Sequence, residues 1–579
     1  MSNNKRKRER LYCAAEIMKT YHVSKYAINK FFPHPVRKTK NRYGGPPVRW
    51  WNEEQIMDAL SDPAVRQSMT SSEPHYDNKE RRKAEIESLL LGFDEEKLVA
   101  AAMCMNRRFV LHIGPTNSGK TYDSIQRLKT AKNGVYLGPL RLLALEMCDN
   151  LNMNGVPCSL LTGEESVPVP FSNHTASTIE LANYDEEYEV AVIDEAQMVS
   201  EKCRGDKWLK AIYLLNAKEI HVCMAPEARD LIIRIVESFH APYEIVEHKR
   251  LTPLEFMGQF RNLNDVQPGD ALIVFSRRSV LAVSAELDKM GIRASVIYGA
   301  LPPVSRREEV RKFTEGETQV VVATDAIGMG ISLPIRRIIF CETEKFDGEE
   351  RRNLNFTEIK QIAGRAGRFG IYDKGEVLSM SRPFLIKRAL ENDTPQIQTV
   401  YIPFPAETLD SDYSIKELLT AWNSLPKGGE ISRVDMSNAI MLYNILKKYA
   451  SNADKGLVYR LITCPVDCKS QAQVNYWLQS CICILRGHPL PQPFSDTLTL
   501  ESCETRYREL DIRHQLLRQI NVEEDNMQEK DELCKLINDF LSKSKNAYLR
   551  RCRSCRKILP ATHPYGICEE CYEKNYKFY

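Results

Sequence analysis

A strand that runs straight into a glycine-rich loop and then a helix leaves a chain few folds to adopt, and residues 108–121 carry that signature. The apolar run from Arg108 to Ile113 leads into Gly114-Pro115-Thr116-Asn117-Ser118-Gly119-Lys120-Thr121, the spacing G-x-x-x-x-G-K-T. Glycines let the backbone wrap closely around a phosphate, whose charge the free amides and the following helix N-terminus stabilise. Lys120 is expected to reach the β and γ phosphates and the Thr121 hydroxyl to hold Mg²⁺. Eighty residues beyond Gly114, a second apolar run, Val190–Ile193, ends in Asp194-Glu195-Ala196-Gln197. Asp194 there suits the metal shell, and Glu195 suits polarising a water. Either motif alone is ambiguous. Two of them on two strand ends point to hydrolysis of a nucleoside triphosphate.

Strand and helix patterns alternate twice. Strands are expected near 108–113, 134–138, 190–194 and 219–224, then at Ala271–Phe275, Ala294–Ile297, Gln319–Val322 and Arg337–Phe340. Two such units imply an α/β class with two parallel sheets flanked by helices. The expected division is an N-terminal module with linker (1–82), two α/β domains (83–250 and 251–390), a helical domain (391–545) and a Cys-rich tail (546–579). No further strand–helix alternation is evident after 390. Residues 11–60 have helix–turn–helix rhythm, with Ser24 as an N-cap and a basic turn from Arg37 to Gly45. Their layout resembles excisionase-like winged-helix modules.

The net charge of +3 is nearly neutral, so affinity for nucleic acid must come from local basic surfaces. No apolar run approaches the roughly 18–20 residues that span a bilayer, which argues against a membrane partner. The first ten residues are basic without an apolar segment behind them, so neither a secretory nor a convincing mitochondrial signal is expected. Most cysteines, including Cys104, Cys148, Cys223 and Cys341, lie in apolar segments and read as reduced, buried thiols. The expected location is cytoplasmic, in a bacterial or phage-infected cell.

In the second α/β unit, Ala323-Thr324-Asp325-Ala326-Ile327-Gly328-Met329-Gly330 follows a strand. Gln361-Ile362-Ala363-Gly364-Arg365-Ala366-Gly367-Arg368 then supplies two guanidinium groups, on one face if helical. A planar, permanent charge suits transferring phosphoryl oxygens. If these arginines face the glycine-rich loop across a cleft, hydrolysis requires the two units to close. The motif order resembles superfamily 2 DExH/D-box helicases. Together with Gly138–Glu146, Leu161–Glu164 and Arg336–Phe340, it is similar over about residues 105–375 to the mitochondrial degradosome RNA helicase family.

The resemblance implies two tandem RecA-like domains with a helical C-terminal part closing a ring around one strand. It implies ATP and Mg²⁺ as cofactors and 3′ to 5′ unwinding of tailed duplexes, RNA favoured over DNA. A DNA helicase or translocase, or an ATP-switched clamp without strand separation, is the alternative; an exoribonuclease is a possible partner. By matching motif, Gly114, Pro115, Thr116, Asn117, Ser118, Gly119, Lys120 and Thr121 hold the triphosphate. Asp194 and Glu195 manage metal and water, Gln197 couples them to the second lobe, and Arg365 and Arg368 act as arginine fingers. Gln361 and Asp325 line the cleft. Pro139, Arg141, Thr162, Gly163, Ser276, Arg277 and Thr324 contact the single strand.

Near the C-terminus, Cys552-Arg553-Ser554-Cys555 and Cys568-Glu569-Glu570-Cys571 form two C-x-x-C knuckles. Four thiolates at this spacing suit one tetrahedral Zn²⁺ in a closed structural site, a zinc ribbon. Arg550, Arg551, Arg553, Arg556 and Lys557 beside several tyrosines suit single-stranded nucleic acid, with protein docking as the other reading.

Overall fold

The computed structural model describes residues 10–576 apart from 22, 24, 40–46, 64, 67–74, 92–94, 164, 329–332, 349, 427–428, 452, 494–496, 523, 525, 544–547, 562 and 564. The expected cap Ser24, most of the basic turn before Gly45, Glu164, and Met329 with Gly330 lie outside the described residues. The chain forms two compact units, Met1–Gly92 and Phe93–Tyr579. In the first, helices Ala14–Tyr21, Lys25–Phe31 and Glu53–Ser61 accompany a three-stranded antiparallel sheet with Val48–Asn52 between Leu11–Cys13 and Arg37–Thr39. Its core gathers Ile17, Ile28, Trp51 and Ile56, and the Trp51 indole N–H donates to the Pro33 carbonyl at 2.8 Å.

The second unit opens with an eight-stranded sheet. Its order is Tyr243–Glu247, Arg108–Ile113, Ala217–Met224, Tyr188–Ile193, Gly134–Gly138, His174–Thr178, Cys158–Leu161 and Ser166–Val167. All neighbours are parallel except the last pair. Central strands are buried on both faces, which explains their continuous apolar runs. The glycine-rich loop and the Asp194 turn leave strand ends at the same edge.

A six-stranded, wholly parallel sheet follows, ordered Leu254–Gln259, Gly375–Ser379, Arg337–Phe340, Asp270–Ile273, Val320–Ala323 and Ala294–Ile297. At one end Arg337 grips the fully buried Asp270 with Nε and Nη2, each 2.6 Å from a different carboxylate oxygen. Helix Phe356–Ala363 begins in a capping box between Asn355 and Glu358, which satisfies two otherwise free amides.

Six helices dominate the region beyond 400: Ile415–Ser424, Ser437–Leu446, Lys455–Ile462, Gln471–Arg486, Leu500–Gln519 and Met527–Ser542. Two short parallel strands, Val400–Ile402 and Ile431–Arg433, also lie in this region. At three residues each they are too short to leave a periodic pattern. Helices Leu500–Gln519 and Met527–Ser542 share a core with the second sheet through Leu500, Cys503, Tyr507, Leu533 and Ile537. The tail docks on the second lobe, where the Ala561 amide donates to Glu286 at 2.6 Å. Cys148, Cys223 and Cys341 are buried as expected, but Cys104 is exposed, because it falls in the turn just after helix Glu95–Met103.

Removing one partner of a buried ion pair strands the other charge. Asp270→Ala is expected to destabilise the second sheet by roughly 3–5 kcal/mol, seen as faster hydrogen exchange in strands Asp270–Ile273 and Arg337–Phe340.

Candidate active site

Gly119 has φ +85° and ends the loop as the cap of helix Lys120–Lys129. At Gly114 a Cβ would lie 2.8 Å from both Cβ and O of His248, so only glycine fits. Lys120 is buried and its ammonium lies 3.4 Å from the Pro115 carbonyl. Helix and strand end converge on Asp194, 2 % exposed. Its carboxylate accepts from the Thr121 hydroxyl at 3.2 Å, the Tyr136 hydroxyl at 2.9 Å and the Glu195 amide at 2.9 Å, while the Trp208 indole donates to its carbonyl at 2.9 Å. Burial and the neighbouring Glu195 charge push the Asp194 carboxyl up to about 6, against the pull of Lys120 and Tyr136. Burial also raises the Tyr136 phenol well above its usual range, which keeps it a donor.

Glu195 sits in the left-handed region at φ +51°, a conformation that is strained for a residue with a Cβ. It aims the carboxylate at Gln197, whose amide nitrogen donates to it. The other end of Gln197 accepts from the Ala225 amide at 3.1 Å. Thr116, Lys120, Glu195, Gln197 and Gln361 line one cavity of about 680 Å³ together with Glu227 and Arg250.

The second lobe meets the loop closely. A Cβ on Gly364 would come 2.8 Å from Thr116 Cβ, and the Asn117 side chain donates to the Gly364 carbonyl at 3.2 Å. Arg365 donates to the Gly328 carbonyl at 2.7 and 3.2 Å; burial lowers its pKa, partly offset by the charges of Glu195, Glu146 and Asp194. Helix Phe356–Ala363 ends before either arginine, so the condition for Arg365 and Arg368 to share a helix face is not met. Gly367 turns the chain at φ +72°, and the backbone of Gly375 fills the place where a Cβ would stand. Arg368 lies half-buried in that turn. Asp325 pairs with Lys345 at 3.1 Å and does not line the cavity.

Two groups of residues here have no counterpart among the expected site residues. Arg250 joins the loop to the second lobe through the Thr116, Gly364 and Ala366 carbonyls. Beneath the loop, three histidines form a row, His112 and His221 buried and His248 partly so. His248 Nε2 is 3.0 Å from His112 Nδ1, His112 Nε2 is 2.8 Å from His221 Nδ1, and His221 Nε2 is 2.8 Å from Glu219. Histidines far apart in sequence give no motif; only strand register brings them together.

Of the expected strand-contact residues, Arg141, Gly163 and Arg277 meet one helix, Leu500–Gln519. Arg141 lies 3.4 Å from the Tyr507 hydroxyl and also pairs with Glu165. Gly163 faces Gln515, and Arg277 pairs with Glu504 at 3.2 Å. Ser276 caps helix Arg277–Lys289 and Pro139 accepts from Arg204. Buried Thr162 and Thr324 hold their own turns, through the amides of Glu165 and Ala326.

In the tail, the thiols of Cys552, Cys555, Cys568 and Cys571 all lie within 4.8 Å of one another. Backbone amides of Cys555 and Cys568 lower the Cys552 thiol to about 6. Four clustered sulfurs with one already favouring thiolate fit a thiophilic tetrahedral ion.

Residues 96–248 match the model of the DEXQ-box helicase domain of Suv3, and residues 255–370 match the helicase conserved C-terminal domain. The rice protein named ATP-dependent RNA helicase SUV3L, mitochondrial, is 35% identical over 485 residues, covering 76% of this chain and 63% of that protein. The human ATP-dependent RNA helicase SUPV3L1, mitochondrial, is 39% identical over 324 residues, 53% of this chain and 41% of that one. The chain therefore spans less than two thirds of the length of these relatives. The solved Escherichia coli DEAH/RHA helicase HrpB aligns at a TM-score of 0.48 and 18% identity, covering 79% of this chain and 63% of that one. The expectation of a cytoplasmic location is corrected: it rested on the first residues, and the rice and human relatives are named as mitochondrial.

Burial, with the His221 and His248 charges, lowers His112 from 6.5 to about 4. The folded chain thus keeps this ring neutral where the unfolded chain takes up a proton. The stability it contributes is complete above pH 6.5 and is lost as pH falls through about 4, a total of roughly 3 kcal/mol. Hydrogen exchange of strand Arg108–Ile113 is expected to quicken from pH 7 to pH 5 after correction for intrinsic rates, and His112→Gln to flatten that dependence.

Proposed function

The chain carries a Suv3-type DEXQ-box helicase domain followed by a helicase C-terminal domain, two tandem RecA-like lobes with a helical C-terminal region, and from that premise we propose an ATP-dependent RNA helicase. It translocates 3′ to 5′ along one strand of a tailed duplex. The observation that carries the proposal is the single cavity in which Thr116, Lys120 and Glu195 of one lobe face Gln361 and Gly364 of the other. Chemistry in such a cavity depends on how the lobes are set, so each cycle of hydrolysis is coupled to their relative motion.

In this proposal the Gly114–Thr121 loop cradles the triphosphate and Lys120 contacts its outer phosphates. Thr121 and Asp194 hold Mg²⁺, which neutralises phosphate charge. Glu195, fixed by Gln197, orients the attacking water and takes its proton. Arg365 and Arg368 stabilise the charge that develops on the transferring phosphoryl group. Gln361 serves the interlobe side of the cavity, while Asp325 stays paired with Lys345.

Pro139, Arg141, Thr162, Gly163, Ser276, Arg277 and Thr324 grip the strand through amides, hydroxyls and guanidinium groups without reading bases. Helix Leu500–Gln519 roofs that path, and Glu165 and Glu504 occupy its arginines until phosphates replace them. The proposed divisions are 1–82, 83–250, 251–390, 391–545 and 546–579, the first a nucleic-acid docking module of winged-helix type. The tail holds structural Zn²⁺ on its four cysteines and presents Arg553 and Tyr565 to single-stranded nucleic acid.

ATP hydrolysis is to be compared without nucleic acid, with single-stranded RNA and with single-stranded DNA, alongside unwinding of 3′- and 5′-tailed duplexes. RNA stimulation with unwinding of 3′-tailed duplexes alone is expected. Stimulation by DNA alone moves the substrate to DNA, and stimulation without strand separation leaves a translocase or clamp. Glu195→Gln should bind ATP yet lose turnover by about 100-fold or more; normal hydrolysis in that variant sinks the assignment. The purified chain should carry one zinc per molecule by elemental analysis, and Cys568→Ser should lose it and expose the tail to protease.

A further inference from the structure

We propose that Arg250 is a positioning residue for hydrolysis, a latch that sets the arginine-finger segment against the phosphate loop; the inference rests on the ATPase function proposed above. Arg250 lies where the chain crosses from the first sheet to the second, four residues before strand Leu254–Gln259. Its Nη1 donates to the Thr116 carbonyl at 2.9 Å and to the Gly364 carbonyl at 2.8 Å, and its Nη2 donates to the Ala366 carbonyl. Thr116 belongs to the phosphate loop. Gly364 and Ala366 are the residues on either side of Arg365. One side chain therefore fixes the backbone on both sides of Arg365, the arginine proposed to act on the phosphoryl group, and ties it to the loop of the opposite lobe.

The surroundings reinforce this role. The next residue bonds to the loop as well, its Leu251 amide donating to the Asn117 carbonyl at 3.0 Å. The Gly364 carbonyl takes a second donor from Asn117. Among the described residues no carboxylate pairs with Arg250; burial alone lowers its pKa to about 10, so the charge persists, and Nε has no hydrogen-bond partner. A partly buried cation held only by carbonyls is costly unless an anion approaches. Arg250 lines the same cavity as Lys120 and Glu195, so a bound polyphosphate supplies that compensating charge. The latch is consequently strongest when the nucleotide is present, the state in which Arg365 has to be in place.

A planar fork is needed to reach three carbonyls from one side chain, and an ammonium cannot reproduce it. The test measures kcat and KM for ATP with saturating single-stranded RNA in the wild-type chain, Arg250→Ala, Arg250→Lys and Glu195→Gln, with melting temperatures to verify folding. The expected result for Arg250→Ala is a fall in kcat of about 30–100-fold with KM within about threefold, since misplaced groups slow chemistry more than binding. Free guanidinium ion at low millimolar concentration should restore part of the Arg250→Ala rate and leave Glu195→Gln unchanged. A kcat within about twofold of wild type, or a loss confined to KM, overturns the proposal. Should Arg250→Ala fail to fold, Arg250→Lys decides, with a kcat about tenfold down expected and wild-type turnover overturning it. If Glu195→Gln hydrolyses ATP normally, the ATPase assignment itself falls. If it is inactive while Arg250→Ala turns over normally, only the latch falls.

Discussion

A carboxylate buried at the end of a strand is an expensive group to maintain, and the first lobe is arranged around one. Asp194 is held by a hydroxyl from the loop helix, a phenol from the neighbouring strand and the amide of the next residue. Trp208 secures its carbonyl from the helix behind. Even so, its carboxyl sits near 6, so the folded lobe maintains an ionised group that burial disfavours. A cation brought to the Thr121 side relieves that tension. The strained turn at Glu195 follows from the same constraint: with Asp194 pinned, the chain enters the left-handed region to bring the next carboxylate to the cavity.

The second lobe supplies what a single sheet cannot. Gly364 touches the phosphate loop, Arg365 feels the acidic pair, and helix Leu500–Gln519 of the C-terminal region bonds to residues of both lobes. Basic residues along that helix's contact are already paired with Glu165 and Glu504. Burial raises Glu504 to about 6 despite Arg277, so this acid is weakly committed to its charge. The Arg277–Glu504 pair is therefore a weaker bridge than one between fully ionised partners would be.

Much of this architecture is legible in the sequence where apolar runs end in chemistry-bearing residues. Strands Arg108–Ile113, Gly134–Gly138, Tyr188–Ile193 and Val320–Ala323 are buried on both faces, so hydrophobicity alone marks them. Cys158–Leu161 and His174–Thr178 mix serine, threonine and histidine into equally central positions, and pattern does not reveal them. The loop, the acidic turn and the four cysteines are local in sequence and were readable for that reason. Arg250 is not, because it works through backbone carbonyls of residues 134 and 114 positions away. Helix Leu500–Gln519 buries Glu504, Glu509, Asp511 and Arg513 beside its apolar residues, so pattern does not reveal its neighbours, and Cys104 shows an apolar context although a turn exposes it.

The histidine row has one more consequence, which concerns direction. A neutral imidazole offers one N–H and one lone pair, so three in series satisfy each other only if every proton points the same way. Glu219, held near Arg127 and ionised, accepts only; His221 must therefore donate to it, His112 to His221, and His248 to His112. The outward nitrogen of His248, Nδ1, lies 3.8 Å from Asp123 on the first turn of the phosphate-loop helix. The donor direction at a residue packed against Gly114 thus follows from a glutamate two strands distant, through side-chain hydrogen bonds alone.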